Sequence, residues 1–446
     1  MGSSRLSRAT PTRLVVLSFG SVIVAGTILL MTPASTYTGV SPRLIDAAFT
    51  ATSAVCVTGL VVVNTASYWS AVGKIVIMLL IQVGGLGLMV FATMQALLTG
   101  RRIGLRERLL IQEQTGQSTL AGLVVLARRI TIATLMFELA GAAILGSVIG
   151  ITRRLSFVEA AFQGVFHAVS AFCNAGFDIL GSSLLSYQSN ATVILTVGCL
   201  IIFGGIGFHV LMDLYVNRFR WAGLSLHSRL AIKVTATLLI LGTVSFLVLE
   251  WGNAGTIGEM SLRDKLLSSW FQAVTPRTAG FNSIREENLM APAAFLTVIL
   301  MFIGASPGGT GGGIKTTTFA VAVRALAAAV EGKHDVTIEK RRLPQDVVTK
   351  ALSILLISLG LVVASTMILS GTENVSFLDA LFEVASAFGT VGLSRGITPN
   401  LSNVGKLVLM STMFAGRVGP LSLAIALSRQ RSNGAVRYPE ERVTVG

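Results

Sequence analysis

Apolar residues run almost without interruption through eight stretches of this chain. They are Leu14 to Met31, Ile75 to Leu98, Ile130 to Ile151, Ala191 to Val216, Leu230 to Leu249, Ala293 to Ile303, Val347 to Leu369 and Leu407 to Leu427. A helix that crosses a bilayer needs about 20 predominantly apolar residues. Seven of the stretches suffice unaided, while the run from Ala293 is cut by a glycine cluster and resumes at Thr316 to Val330. The pattern therefore predicts eight spans, one of them broken. Inside each successive pair lies a shorter apolar segment: Ser41 to Val55, Phe157 to Phe172, Leu262 to Val274 and Phe377 to Phe388. These are too short to cross. The expected order, four times over, is helix, half-helix, loop, helix.

The loops after the half-helices are versions of one motif: Ser53-Ala-Val-Cys-Val-Thr-Gly59, Ser170-Ala-Phe-Cys-Asn-Ala-Gly176, Val274-Thr-Pro-Arg-Thr-Ala-Gly280 and Ser386-Ala-Phe-Gly-Thr-Val-Gly392. Self-similarity at a fixed period marks a repeat architecture. It divides the chain into residues 1–100, 101–220, 221–335 and 336–428, followed by a basic tail at 429–446. The predicted fold is an all-α polytopic membrane protein with four covalently linked repeats around one central pore. Each repeat contains an even number of full crossings, so all four share one orientation. That argues against two inverted halves, the usual plan of an alternating-access transporter.

Composition supports this reading. The chain is 52% hydrophobic and 13% charged, with a mean hydropathy of +0.74, whereas a soluble domain carries roughly 25% charged residues. A net charge of +14 invites a nucleic-acid reading, but its placement does not. About two thirds of the lysines and arginines fall in the segments that alternate to the side of the N-terminus, as the positive-inside rule requires of cytoplasmic loops. Both termini are expected in the cytoplasm; the pair Arg153-Arg154 runs against the pattern. The first span has the basic flank of a signal peptide (Arg5, Arg8, Arg13), but its cleavage would strip the first repeat of its entering helix. Cys56, Cys173 and Cys199 have neither zinc spacing nor a disulfide framework. Cys56 and Cys173 occupy equivalent places three residues before a repeat glycine, where packing of small residues is their expected role.

The half-helices open on Asp46, on Ser156 and Glu159, on Ser261 and Asp264, and on Ser376 and Asp379. These residues cap and charge-complement helix N-termini. The negative ends of the half-helices then point at the membrane centre, a polarity that attracts a cation. Backbone carbonyls can replace an ion's water without a full charge that would trap it, and glycine permits the turns that aim them. The candidate lining residues are Val57, Thr58 and Gly59; Asn174, Ala175 and Gly176; Thr278, Ala279 and Gly280; and Thr390, Val391 and Gly392. Taken singly, each is also compatible with an ordinary helix-ending glycine turn.

Glycines recur in the second spans as Gly84-Gly-Leu-Gly87, Gly204-Gly-Ile-Gly207 and Gly416-Arg-Val-Gly419, where close helix packing explains them. In the third repeat the marker swells into Gly304, Ala305, Ser306, Pro307, Gly308, Gly309, Thr310, Gly311, Gly312 and Gly313. Such a run cannot hold a helix, since each glycine costs about 1 kcal/mol and proline about 3 kcal/mol. It is tolerated at membrane depth only beside water or inside protein, and reads as a flexible loop below the glycine loops. Gly304 to Gly308 matches the hydrolase pattern GxSxG but lacks the preceding strand. Gly309 to Thr316 resembles a phosphate loop, yet Ile314 stands where the final glycine belongs. No enzyme and no nucleotide site is expected. Arg417 lies deep in the last span, either at the pore constriction beside the loop or paired with an acid such as Glu138. Lys315 is expected to snorkel at the cytoplasmic end of the broken span. His167 and His209 are expected to make structural hydrogen bonds, and Asp178 and Glu286-Glu287 could gather cations at the mouth.

From about Leu14 to Leu427 the four loops, the broken span and the deep arginine resemble the Trk/Ktr/HKT superfamily of potassium transporters, and within it the membrane subunits of bacterial Ktr systems. The chain begins at the first span, without the extra N-terminal hairpin of Trk-type subunits. The resemblance implies four M1–P–M2 units around one pore, a carbonyl selectivity filter at the residues named above, and a gate at Gly304–Gly313 with Arg417. It implies potassium as the transported ion, with sodium as a possible activator. Glycine at all four filter positions matches the potassium-selecting members; some plant members with serine in the first loop favour sodium. The expected partners are a second copy of the chain and a cytosolic ring of nucleotide-binding, KtrA-type subunits, which would carry any ATP or ADP. The expected location is the cytoplasmic membrane. Arg101 to Arg108, Lys333 to Arg342 and the tail are candidate docking surfaces, although anionic membrane lipids would attract them as well.

Overall fold

The computed structural model describes residues 11–87, 123–420 and 422–423. The expectations for residues 88–98 of the second span, for Arg101 to Arg108, for the end of the last span and for the tail fall outside this range.

Among the described residues four helices are long and apolar enough to cross a membrane: α1 (Pro11–Leu30), α5 (Leu123–Arg153), α9 (Leu226–Glu250) and α13 (Gln345–Thr372). Only 17% to 33% of each spanning window is buried inside the protein, and side chains such as Leu17, Ile28, Val244, Val248, Leu356 and Met367 face outward. A face this apolar and this exposed is a lipid face.

After each long helix comes a short one: α2 (Leu44–Val55), α6 (Phe157–Phe172), α10 (Leu262–Val274) and α14 (Phe377–Gly389). Three of them start as expected. The hydroxyls of Ser156, Ser261 and Ser376 accept from the backbone N–H of Glu159, Asp264 and Asp379, and Glu159 completes a reciprocal capping box. Past a four-residue helix, α3 (Thr65–Tyr68), the second helices follow as α4 (Ala71–Leu86), α7 (Ala191–Gly205), α11 (Ala291–Phe302) and α15 (Asn403–Val418). Each packs on the short helix of the next group: α4 on α6, α7 on α10, α11 on α14, and α15 back on α2. The last contact closes the ring, clamped by a partly buried ion pair between Lys406 Nζ and Asp46 Oδ1 at 2.8 Å.

The expectation of unbroken second spans outside the third repeat is corrected by the structure. Ala191 to Val216 is two helices, α7 and α8 (Phe208–Val216), bent by 93°. Gly207, at φ +98°, makes the bend, and Gly87 (φ +80°) and Gly419 (φ +95°) end α4 and α15 in the same left-handed region. The reason lies in the carbonyls. Those of Gly204 and Gly205 accept from Thr310 N at 3.1 Å and Ser306 N at 2.9 Å, and Phe208 N donates to Gly308 O at 3.1 Å. Groups so engaged cannot also continue an α-helix.

The third group ends in α12 (Thr316–Val330), and a two-stranded hairpin, β1 (Thr337–Ile338) and β2 (Arg341–Arg342), opens the fourth. The hairpin is tied to α9 by Glu339, which pairs with Arg229 at 3.2 Å and with Lys233.

Tight helix crossings depend on glycine. A methyl group added at Gly164 would overlap the Ala142 carbonyl and lie 2.8 Å from Gly146 Cα, whereas Gly360, inside α13, has nothing within 4 Å. Gly164→Ala should therefore destabilise the protein by about 1–3 kcal/mol, and Gly360→Ala should stabilise it by up to about 1 kcal/mol. Thermal unfolding of the two variants in one detergent checks the opposite signs.

Candidate functional site

The loops that follow the four short helices share one backbone trace. Val57, Asn174, Thr278 and Thr390 have φ of +58°, +57°, +74° and +50°; two residues later Gly59, Gly176, Gly280 and Gly392 have φ of +91°, +69°, +74° and +96°. Left-handed backbone is ordinary for glycine and strained for β-branched residues. Valine and two threonines nevertheless hold it, at a cost of about 1–3 kcal/mol each. Each loop is fixed to its own helix. Thr58, Ala175 and Val391 N–H groups donate to the carbonyls of Ser53, Ser170 and Ser386 at 2.7–2.8 Å, and Ala279 N donates to Thr275 O at 2.9 Å. Gly59 N and Gly392 N donate to the Ser53 and Ser386 hydroxyls, both at 3.0 Å, while the Ser170 and Thr275 hydroxyls donate to the carbonyls of Phe177 and Phe281, both at 2.7 Å.

The four glycines meet in a ring. A methyl at Gly59 would lie 2.5 Å from the Ala175 oxygen and 2.9 Å from Gly176 Cα; one at Gly176 would lie 2.8 Å from the Ala279 oxygen and 3.0 Å from Gly280 Cα. At Gly280 it would overlap the Val391 oxygen, and at Gly392 the Thr58 oxygen. The carbonyls of Thr58, Ala175, Ala279 and Val391 thus stand between neighbouring loops, and the circuit runs from Gly59 through Gly176, Gly280 and Gly392 back to Gly59. The markers of the second helices press on it from behind. A methyl at Gly84, Gly204 or Gly416 would overlap the carbonyl of Val55, Phe172 or Phe388, the residue four places before each ring glycine. This is the close packing expected of these glycines.

Gly304 to Gly313 lies directly against the ring. Gly312 N donates to the Thr390 hydroxyl at 2.9 Å, and a side chain at Gly311 would overlap the Thr278 hydroxyl, which is itself 3.1 Å from the Asn174 amide. The Thr310 hydroxyl donates to Phe172 O at 3.2 Å. A short β-bridge between Ile303 and Ile314 closes the neck of the loop. Arg417, in the last turn of α15, donates from one guanidinium nitrogen to Thr310 O and from another to Gly84 O. It joins the loop to the first group's second helix, and the negative end of its own helix favours its charge.

Profile comparison matches residues 3–436 to the TrkH family, described as cation transport protein. The chain belongs to this family. It is 41% identical over 439 residues to Ktr system potassium uptake protein B of Bacillus subtilis, covering 98% of this chain and 97% of the relative. It is 39% identical over 445 residues to the potassium/sodium uptake protein NtpJ of Enterococcus hirae, covering 98% of each. The crystal structure of the potassium transporter TrkH from Vibrio parahaemolyticus superposes with a TM-score of 0.76 at 19% identity, over 96% of this chain and 86% of that one; this likeness speaks for the fold. Membership places the chain among multi-pass membrane transporters and not among enzymes.

In this TrkH-family chain several sequence expectations need correction. Arg417 does not pair with Glu138. The Glu138 carboxylate instead accepts from Gln82 Nε2 at 3.1 Å and from the Cys173 thiol at 3.8 Å. Lys315 does not snorkel outward: its ammonium donates to Gly311 O at 2.6 Å and Gly312 O at 3.4 Å, because those carbonyls have lost their helix and need donors. Glu286 is fully buried, held by Gln272 Nε2 at 2.8 Å and 3.0 Å, so it is no mouth charge; Glu287 stays exposed. Asp178 is half-buried and accepts from Gly181 N at 2.8 Å. His167, as expected, makes structural hydrogen bonds, with Nδ1 2.7 Å from Gln163 O and Nε2 accepting from Ile179 N at 3.3 Å. Cys56 and Cys173 are buried beside the ring and Cys199 is exposed. Sequence reasoning missed Arg277, buried next to Thr278 and donating to the Thr235 hydroxyl at 3.3 Å. It also missed Glu383, buried behind the fourth loop and accepting from the Ser394 and Thr398 hydroxyls. A charged residue inside a half-helix, for Glu383, or just after one, for Arg277, was the available signal.

Burial pushes the Glu286 carboxyl from 4.5 up to about 8, against the opposing hydrogen bond from Gln272. The folded protein then holds this proton more tightly than the unfolded chain, so the group's contribution to stability falls as pH rises from about 4.5 to about 8. Glu286→Gln should flatten that fall, which thermal unfolding of both proteins across the same pH range measures.

Proposed function

We propose that this chain is the pore-forming membrane subunit of a potassium uptake system, with one pore per chain. The single observation that carries the reading is the closed ring of Gly59, Gly176, Gly280 and Gly392. It brings four loops, three of them strained, and their carbonyls to one axis, at the negative ends of four short helices. A cation arriving there meets partial negative charges and no carboxylate, which suits dehydration and release. On this reading residues 1–100, 101–220, 221–335 and 336–428 are the four M1–P–M2 walls. Val57 to Gly59, Asn174 to Gly176, Thr278 to Gly280 and Thr390 to Gly392 form the selectivity filter. The names of the Bacillus and Enterococcus relatives support potassium as the ion and leave a place for sodium.

The loop from Gly304 to Gly313 is the gate, and Arg417 both anchors it and sets a positive barrier under the ring. The word "system" in the Bacillus relative's name supports a separate regulatory component, for which a cytosolic nucleotide-binding ring of KtrA type is the proposed partner. Dimeric assembly, the cytoplasmic membrane and cytoplasmic termini complete the reading, the last supported by the distribution of lysine and arginine.

Purified chain in liposomes should take up potassium down its gradient, and absence of any cation flux by folded protein would defeat the proposal. Gly59→Ser adds a side chain where a methyl already crowds the Ala175 carbonyl at 2.5 Å, on backbone at φ +91°. It should reduce preference for potassium over sodium about tenfold, a change of about 1.4 kcal/mol in relative barrier; unaltered competition between the ions would speak against carbonyl selection.

Two changes address the gate. Deleting Gly308 to Gly312, or replacing Arg417→Ala, should raise potassium flux severalfold in the absence of any partner protein. Folded variants whose flux stays at or below that of the parent would remove the gate from the scheme.

A further inference from the structure

The 93° bend turns α8 out of the spanning direction and leads the chain to an exposed segment, Tyr215 to Trp221. Four of its side chains are apolar or aromatic and exposed: Tyr215 at 77%, Val216 at 65%, Phe219 at 77% and Trp221 at 45%. Between them stand Arg218 and Arg220, both exposed and both without a carboxylate partner among the described residues. The neighbouring cations Arg229 and Lys233 both pair with Glu339.

The display is built and not a loose turn. Arg218 and Phe219 are consecutive non-glycine residues in the left-handed region, at φ +47° and +60°. One carboxylate staples the turn: Asp213 accepts from Asn217 Nδ2 at 2.7 Å and from the backbone N and hydroxyl of Ser225 at 2.9 Å and 2.8 Å. Leu224, next to Ser225, is buried, and Lys233 Nζ lies 5.6 Å from the centre of the Trp221 ring. Backbone strain is thus held in order to turn Arg218 and Phe219 outward.

Depth selects the occupant. Helix α7, with 15 residues, descends about 22 Å before the bend, most of the way through a hydrocarbon core of about 30 Å. Helix α9, with 25 residues, starts its return crossing at Leu226, one residue after the staple. The segment therefore sits where hydrocarbon meets headgroups. Aromatic side chains beside unpaired arginines are the chemistry of that layer. We propose that Tyr215 to Trp221 is a docking site for anionic phospholipid, with Phe219 and Trp221 among the acyl chains and Arg218 and Arg220 on the phosphate and its neighbouring negative charge.

The test uses the full chain in nanodiscs of phosphatidylcholine with or without phosphatidylglycerol, each lipid available in acyl-brominated form. The Trp221 signal is the difference between the parent and Trp221→Phe. Brominated phosphatidylglycerol should quench it at least twofold more than brominated phosphatidylcholine at equal mole fraction. Arg218→Gln with Arg220→Gln should abolish that preference, weakening retention about fivefold for each arginine removed. An environment-sensitive label at Ala222→Cys, in a Cys199→Ser background, gives a second readout that leaves Trp221 intact. Equal quenching by the two lipids, or a preference unchanged in the double arginine variant, overturns the proposal. So does a segment that neither lipid quenches and that instead cross-links to a second copy through Phe219→Cys.

Discussion

Four backbones approach one another at a single axis more closely than any side chain would allow, and the rest of the molecule is arranged to hold them there. A Cβ at any ring glycine would press on the neighbouring loop's carbonyl. The contact is between main chains, so its geometry is set by dihedral angles and not by interchangeable side chains. This explains why strain is accepted at Val57, Thr278 and Thr390. It also explains why the supporting contacts are again between glycine and carbonyl, at Gly84, Gly204 and Gly416. Hydrogen bonds donated by Gly59 N and Gly392 N to the Ser53 and Ser386 hydroxyls fix the ring from one side, while the packing of each second helix on the next short helix supplies the pressure from the other.

Much of this was legible in the sequence because repetition multiplies weak signals. A single glycine after a short apolar segment means little, but four in the same relation to flanking spans fixed the helix order, the short-helix boundaries near Phe157 and Leu262, and the convergence of the loops. The left-handed positions two residues earlier were not legible, since Val57, Thr278 and Thr390 are among the residue types least suited to them and Asn174 alone carries a hint. Nor was the bend at Gly207. Ala191 to Val216 is apolar throughout, and hydropathy registers lipid compatibility without regard to where a carbonyl bonds. The break is decided by a tertiary partner over a hundred residues away in sequence, the loop at Ser306 to Thr310.

Symmetry and its breaks divide the work between them. The ring is close to fourfold in backbone, yet the loop beneath it occurs once and Arg417 occurs once, each joining parts of different groups. Arg417 bonds to Gly84 of the first group and Thr310 of the third, from a helix of the fourth. The second group supplies the carbonyls of Phe172, Gly204 and Gly205. All four groups therefore converge on ten residues that have no helix of their own, and a change in the packing of any group is felt at the loop.

That convergence sets an energy scale for the proposed gate. Moving the loop aside breaks its bonds to Gly204, Gly205, Phe208, Phe172, Thr390 and Arg417. At about 0.5–1.5 kcal/mol net for each, the sum is several kcal/mol, so an unassisted open state is a minor species. A regulator bound to both states equally shifts nothing, whatever its affinity; it must favour the open arrangement by a comparable amount. The second helices are where such a bias can enter, because α4 and α15 stop at the left-handed glycines Gly87 and Gly419, α7 is followed by left-handed Gly207 at the bend, and Arg417 lies two residues before Gly419. A force on the chain beyond Gly87, Gly207 or Gly419 meets a hinge before it meets the ring. Opening can then proceed at the loop while the glycine ring, held by its own short helices, keeps its geometry.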